Sequence, residues 1–356
     1  MNQLDRLRER MAAANVPALI VSDIANVQWL TGFTGSFGQV LVTPTDAAFL
    51  TDSRYTLQAG EEVATMPAFS FGSPKKHEEF LGEQVARMRI TDLRFEPTVA
   101  YGTVEKWRGA LNGVGLEAAP ETLVPPLRMV KTEDEIAKIA EACKLADACL
   151  EHVTRLIQPG VAEFDIGLEI EFFFRRHKAG IAFAPIVASG PNSARPHARA
   201  GERKLEVGDF VTLDLGATLD GYNSDITRTF VVGRASERQR EIYGLVLKAQ
   251  RASIEAMVVG GNGKDVDALA RQILDEEDLA QYFGHSLGHG LGRSVHDAGR
   301  LHFSADQPLE AGQVWTIEPG VYLEGFGGVR IEDDVVVTDS GPRILTSFPK
   351  ELTILP

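Results

Sequence analysis

The stretch "LVPPLRMVKTEDEI", Leu123 to Ile136, constrains the chain more than any other. Pro125-Pro126 cannot continue a helix or a central strand, because each proline lacks the backbone N–H that either ladder needs. Nine residues after Leu123, Thr132-x-x-Glu135 forms a capping box, a sequence signature of a helix start. A chain of 356 residues is also longer than one hydrophobic core comfortably organises. The sequence therefore predicts two domains, residues 1–126 and 127–356.

The segment before the prolines alternates helix-like and strand-like runs. Leu4, Leu7 and Met11 give a helical stripe, "ALIVS", "GQVLVT" and "AAFLTD" read as strands, and "YTLQAGEEVA" as another helix. This is an α/β pattern. After Lys131 the order is two helices, the second in "EFDIGLEIEFFFRRHKAG", then strands in "IAFAPIVAS" and "DFVTLDLGATLDGYNSDITRTFVVG". A second capping box, Ser236-x-x-Gln239, opens a helix across 237 to 259, followed by "VDALARQIL" and strands around "VWTIEPGVYL" and "GGVRIEDDVVVT". Helix, helix, strands occurs twice, which suggests a duplicated α+β unit without a residue-level repeat to establish it.

Thirty-six basic against fifty acidic residues, net -14, leave no basic footprint for nucleic acid and would repel an anionic membrane. The N-terminus mixes charges before a short apolar run, so no signal peptide or spanning helix is expected, and the cytoplasm is the default compartment. Cys143 and Cys149 lie on one predicted helix, about 9 Å apart along its axis. That is beyond disulfide reach, so both are expected to be reduced core residues.

"FVTLDLG" and "VWTIEPG" are apolar runs interrupted by Asp214 and Glu318, and a buried carboxylate must be paired, protonated or bound to a cation. Asp220-Gly221 is a strong two-residue hairpin signal. With those two as the loop, Asp225 lies opposite Gly216, and Asp214 and Asp225 become diagonal neighbours on one face. Arg330 and Glu332 share one face of "GGVRIEDD" by the period-two rule. Four acids with one evident Arg leave net negative charge, for which divalent metal is the natural compensation, with His289 as nitrogen ligand. Oxygen-rich ligation with one imidazole suits Mn²⁺, with Co²⁺, Fe²⁺ and Zn²⁺ as alternatives. "GHSLGHGLGRSVHD" adds His285 and His296, but its Gly284, Ser286 and Gly288 also fit a nucleophile elbow. The elbow requires a buried strand running into Ser286, whereas "DVDALARQILDEEDLAQYF" before it is helical and acidic.

The ordered set Asp214, Asp225, His289, Glu318 and Glu332, within "LDLGATLDGYNSDITRTF", "GHSLGHGLGRSVHD", "TIEPGVYL" and "GGVRIEDD", closely resembles the dinuclear metallopeptidases of the pita-bread fold: methionine aminopeptidase and the M24B-type prolidase and aminopeptidase P. The match spans about residues 131 to 356, and the segment before it resembles the creatinase-type N-terminal domain, which favours the Xaa-Pro branch. The resemblance implies that Asp225 and Glu332 bridge two metals, that Asp214 completes one site, and that His289 and Glu318 complete the other. Creatinase shares the fold but has lost these ligands, so their retention implies metal catalysis. It further implies that His197 and His296 hold substrate and steady the tetrahedral intermediate, and that His285 lines the pocket near proline. Arg330 is counted with the substrate-binding residues. Glu318 could take the proton of the attacking hydroxide and pass it to the departing proline nitrogen.

"Asp52-Ser53-Arg54-Tyr55" resembles the TDxRY motif of aminopeptidases P, including small bacterial forms of about this length. On that basis the expected activity is release of the first residue from Xaa-Pro-Xaa peptides, with Arg54 or Tyr55 lining the cleft of its own or of a partner subunit. Prolidase, acting on Xaa-Pro dipeptides, is second. A helix N-cap by Asp52 or Ser53 is the competing account of the motif. Remote rivals are a Ser286 hydrolase and a non-enzymatic pita-bread binding protein. A homodimer is expected from general frequency alone.

Overall fold

Leu19–Val21, Gln39–Val42 and Ala47–Asp52 carry apolar residues at consecutive positions, the pattern of strands covered on both faces. In the computed structural model, which describes residues 2–356, they lie inside a six-stranded sheet. Its order is Ala68–Phe71, Ala47–Asp52, Gln39–Val42, Leu19–Val21, Asp92–Phe95, Gly115–Ala118. Alternate side chains point to opposite faces. Leu19, Val21, Val40 and Phe49 pack with Leu7, Met11 and Val27, whereas Ile20, Leu41 and Leu50 pack with Phe80, Leu81 and Trp107. The sheet is mixed, since Leu19–Val21 runs antiparallel to Gln39–Val42 and parallel to Asp92–Phe95. This is the α/β N-terminal domain.

Pro125 and Pro126 open a short helix, Pro125–Met129, rather than excluding one. The N–H groups of a first helical turn have no intrahelical acceptor to lose, so proline is tolerated there. The chain separates into two compact units, Met1–Arg128 and Met129–Pro356. That division lies within the helix, two residues beyond Pro126.

The C-terminal unit has the pita-bread architecture. Both capping boxes form: Thr132 and Glu135 open helix Glu133–Thr154, and Ser236 and Gln239 open helix Glu237–Glu255. Glu163–Arg176 and Gly263–Asp275 follow as the second helix of each pair. A four-stranded sheet ordered Ile354–Leu355, Ile226–Val232, Phe210–Leu215, Ile186–Ser189 belongs to the first half. A five-stranded sheet ordered Asp297–Leu301, Gly288–Gly290, Val314–Ile317, Asp333–Thr338, Gly341–Ile344 belongs to the second.

The duplication that residue identity leaves unestablished is visible in the main-chain bonding. Gly160 N donates to Leu205 O at 2.8 Å and Glu163 N to Arg203 O at 3.0 Å; Gly260 N donates to Leu309 O at 2.9 Å and Gly263 N to Gln307 O at 2.8 Å. Backbone geometry is repeated where side chains have diverged. Cys143 and Cys149 are free and buried, the first against Asp334. Among the described residues, no helix is long and apolar enough to cross a membrane.

Candidate active site

The Asp220-Gly221 turn has positive φ at both residues, 49° and 76°, and Leu219 lies opposite Tyr222, so a two-residue hairpin forms. Its register continues inward, placing Leu215 opposite Ile226 and Asp214 opposite Thr227. Asp214 and Asp225 are therefore diagonal neighbours.

The second pair of acids is delivered differently from the continuous strand that "GGVRIEDD" suggests. Gly327–Arg330 pairs with Gly320–Leu323 as a two-stranded ribbon, whereas Asp333–Thr338 pairs with Val314–Ile317 in the five-stranded sheet. Glu332 and Glu318 occupy the two steps where the chain passes between sheet and ribbon. Their main-chain N–H groups are satisfied across the site, Glu332 N by Thr227 O at 3.1 Å and Glu318 N by Leu287 O at 2.8 Å. His289 sits between two glycines that admit no side chain: a Cβ would meet Thr316 O at 1.9 Å from Gly288 and Ala298 O at 2.0 Å from Gly290.

These elements bring all five residues to one cleft. His289 Nε2 lies 3.6 Å from both Asp225 Oδ2 and Glu318 Oε1. Asp225, His289 and Glu332 present ligand atoms all within 4.8 Å of one another. His289 Nδ1 lies 3.1 Å from Gly290 O, which can only accept, so Nδ1 carries the hydrogen and Nε2 turns a lone pair toward two carboxylates. With the carboxylates ionised, that arrangement is repulsive unless a cation lies between them.

The electrostatics agree. Burial, reinforced by Glu332 and Asp214, drives the Asp225 carboxyl well above its usual range, and burial with Glu318 and Asp214 does the same to Glu332. Burial pushes Glu318 up to about 8 and the His289 imidazole down to about 4. Arg330 Nη2 binds Asp214 Oδ2 at 2.6 Å, but Asp214 Oδ1 is buried without a hydrogen-bond partner. One guanidinium cannot balance four carboxylates, so the residues present fit divalent metal.

His197 and His296 are exposed in the same cleft, and the His296 ring stands edge-on to His289 with centroids 4.3 Å apart. His285 is bonded through Nδ1 to Ser286 O and through Nε2 to Tyr322 Oη, both at 2.8 Å. Tyr322 Oη also accepts from Arg330 Nη1 at 2.9 Å, so a continuous chain of hydrogen bonds joins His285 to Asp214. Sequence reasoning missed Tyr322 and also Thr227, whose hydroxyl donates to Glu332 Oε2 at 2.6 Å. The signal for Tyr322 is its register: Gly320 faces Arg330 and Tyr322 faces Gly328, which makes Tyr322 the diagonal neighbour of Arg330.

Every residue lining the cleft belongs to the C-terminal unit. Arg54 and Tyr55 belong to the N-terminal one. Asp52 holds the Arg54 guanidinium at two points, 3.0 Å and 2.7 Å, and caps its main-chain N–H at 2.9 Å; Tyr55 Oη bonds Ser36 Oγ at 2.6 Å. Ser286 lines the cleft, but a loop precedes it and the strand Gly288–Gly290 follows, so the strand-to-helix turn of a nucleophile elbow is absent. His302 turns Nδ1 to Ser304 Oγ at 2.6 Å.

Comparison with known proteins places this geometry. Residues 137–339 match metallopeptidase family M24 and residues 3–130 the creatinase/prolidase N-terminal domain. An Xaa-Pro dipeptidase of Pyrococcus furiosus is 35% identical, over 98% of this chain and 99% of its own. The structure of an Xaa-Pro dipeptidase from Bacillus anthracis superposes with a TM-score of 0.95 at 40% identity, covering 99% of each chain. That of an X-Pro aminopeptidase from Thermotoga maritima gives 0.89 at 33%, covering 98% of this chain and 100% of the other. A family whose members carry a dinuclear divalent metal site accounts for four acids and a lone-pair-bearing imidazole in one cleft, and this chain belongs to it: it is an M24 metallopeptidase with a creatinase/prolidase-type N-terminal domain.

Proposed function

We propose that the chain is a proline-specific exopeptidase whose preferred substrate is the Xaa-Pro dipeptide, with release of the first residue from longer Xaa-Pro peptides as the second reading. This reverses the order favoured by the Asp52–Tyr55 motif. The observation that carries it is Arg300. Its side chain is exposed in the cleft, its position pairs with His289 across the hairpin, and among the described residues no ion pair uses it. A cation there suits the free carboxylate that a dipeptide carries on its proline and a longer peptide does not. The names of the dipeptidase relatives support this order, and that of the Thermotoga maritima relative supports the alternative.

Asp214, Asp225, His289, Glu318 and Glu332 would hold two divalent ions, Mn²⁺ by the donor set. When bound, such ions lower the pKa of water and offset charge on an attacked carbonyl oxygen. Glu318, in the same cleft, is placed to take a proton from the attacking water and release it to the proline nitrogen. That delivery matters because an Xaa-Pro amide has no N–H of its own. His296 is pushed below its ordinary value by burial and by His197, so near neutrality it is an uncharged donor and acceptor beside the scissile carbonyl. His197 faces the same space, and His285, fixed by Tyr322, forms the wall against which proline packs. Arg330 acts through Asp214 and Tyr322. Asp52 is assigned to capping its own turn, with Arg54 held against it and Tyr55 bonded to Ser36.

Under Mn²⁺, kcat/KM for Ala-Pro should exceed that for Ala-Pro-Ala by about tenfold or more, one charge-assisted contact's worth. The opposite ratio would make the enzyme an aminopeptidase, and turnover of neither would leave only the binding protein. Arg54→Ala should leave kcat/KM on both unchanged; a selective loss on the tripeptide would return Arg54 to substrate binding.

A further inference from the structure

Two acids of the C-terminal unit, Glu163 and Asp267, are fully buried yet have no part in the chemistry above. Each lies on the second helix of its half, Glu163 at the first position of Glu163–Arg176 and Asp267 in the second turn of Gly263–Asp275.

Glu163 is a hub for a single loop. Its Oε1 accepts from Ser189 N and Ser189 Oγ, both at 2.7 Å, Asn192 Nδ2 reaches both carboxylate oxygens at 3.1 Å, and Oε2 accepts from Gly201 N at 3.3 Å. Ser189 ends the strand Ile186–Ser189, and Gly201 is where the chain returns to the helix, Phe164 N donating to Gly201 O at 2.9 Å. The carboxylate therefore ties the two ends and the near side of the segment 189–201, whose run from Pro196 to Ala200 lines the cleft and includes His197. Its charge is answered through the Ser189 hydroxyl, to which Arg203 Nη1 donates at 2.6 Å while pairing with Asp209.

Asp267 does the same in the other half. It accepts from Leu287 N at 3.1 Å and Phe303 N at 3.0 Å, the two ends of the segment that carries His289 and His296, and Arg271 Nε neutralises it at 2.8 Å. The two acids stand at different helix positions but share one relation: each closes the base of a segment that delivers histidines to the cleft. Burying a carboxylate is costly unless donors surround it, and here the donors are the segment ends themselves.

We propose that Glu163 is a positioning residue for His197, setting that imidazole by closing the base of its loop. The inference rests on the reading of His197 as a substrate-facing group. A catalytic group displaced by about 1 Å can lose roughly 100-fold in rate, so a loop whose regular structure is one short 3₁₀ helix, Gly190–Ala194, ending before His197 gains from such a tie. Glutamine at 163 would turn an NH₂ toward N–H donors whichever way it lay.

The test is a double-mutant cycle on the Mn²⁺-loaded enzyme with Ala-Pro, together with Mn²⁺ binding measured by calorimetry. Glu163→Gln and His197→Ala should each lower kcat/KM by about 10- to 100-fold, and the double variant should be no worse than His197→Ala alone. Mn²⁺ affinity should stay unchanged in Glu163→Gln, because segment 189–201 holds no metal ligand. It should fall in Asp267→Asn, whose segment holds His289. Multiplying losses in the double variant, or loss of Mn²⁺ binding in Glu163→Gln, would overturn the proposal while leaving His197 its role. A silent His197→Ala would overturn that role instead. Should Glu163→Gln not fold, Asn192→Ala loosens the same tie from the loop side and should show a smaller loss with the same non-additivity; multiplicative loss there would count against the proposal equally.

Discussion

Arg330 donates to Asp214 at 2.6 Å while its other nitrogens reach Thr227 Oγ1 at 3.0 Å and Tyr322 Oη at 2.9 Å. One guanidinium thus joins a metal-site acid to the pocket wall. Because both partners are buried, Arg330→Met should cost about 3 to 5 kcal/mol in the metal-free protein, where nothing else offsets Asp214. Urea denaturation with and without Mn²⁺ should show a smaller loss in the loaded form. An equal loss in both would mean that Asp214 is not held by metal.

Arg300 separates the two substrate readings. Arg300→Gln should raise KM for Ala-Pro by about 10- to 100-fold, the loss of one charge-assisted hydrogen bond of about 1.5 to 3 kcal/mol, and leave Ala-Pro-Ala nearly unchanged. Equal effects on the two substrates would remove Arg300 from carboxylate recognition.

Asp225 and Glu332 resist ionisation beside their neighbours, so a cation that lets them ionise should favour the folded chain. EDTA should abolish hydrolysis, Mn²⁺ should restore it, and Mn²⁺ at roughly 100 times its Kd should stabilise the protein by about 2.7 kcal/mol. A serine-directed fluorophosphonate should have no effect. Inactivation by that reagent together with indifference to EDTA would restore Ser286 as nucleophile.

His77 provides a pH response in the N-terminal unit, away from the metal chemistry. It is half-buried with Nε2 2.8 Å from Gln39 Oε1, and burial lowers its pKa from the ordinary 6.5. Below that value the unfolded chain takes up a proton that the folded chain refuses. The contribution is therefore whole above the unfolded pKa and falls as pH drops through it. Urea midpoints compared at about pH 7.5 and about pH 5.5 should show less acid sensitivity in His77→Gln than in the parent. Identical slopes would mean that His77 does not titrate in this window.

Local chemistry explains what was legible in advance. Capping boxes at Thr132 and Ser236 and the turn at Asp220-Gly221 are read from neighbouring residues, and all three form as expected. Uniformly apolar strands such as Leu19–Val21 declare a sheet buried on both sides. Weaker strands, such as Gly115–Ala118, show no apolar run because they lie at the sheet edge, half exposed.

The amino-acid sequence by itself singled out Asp214 and Glu318, because acids interrupting apolar runs have few other uses, and its motifs supplied the rest of the set by resemblance. It also determined the hairpin register that brings Asp214 and Asp225 together, since a two-residue turn leaves no freedom in pairing. Only the tertiary structure decided how Glu318 and Glu332 arrive, at steps between sheet and ribbon that no strand periodicity encodes. The same holds for the ties of Tyr322, Thr227, Glu163 and Asp267, whose partners lie tens of residues away or more and which are ordinary polar residues until the chain has closed around them.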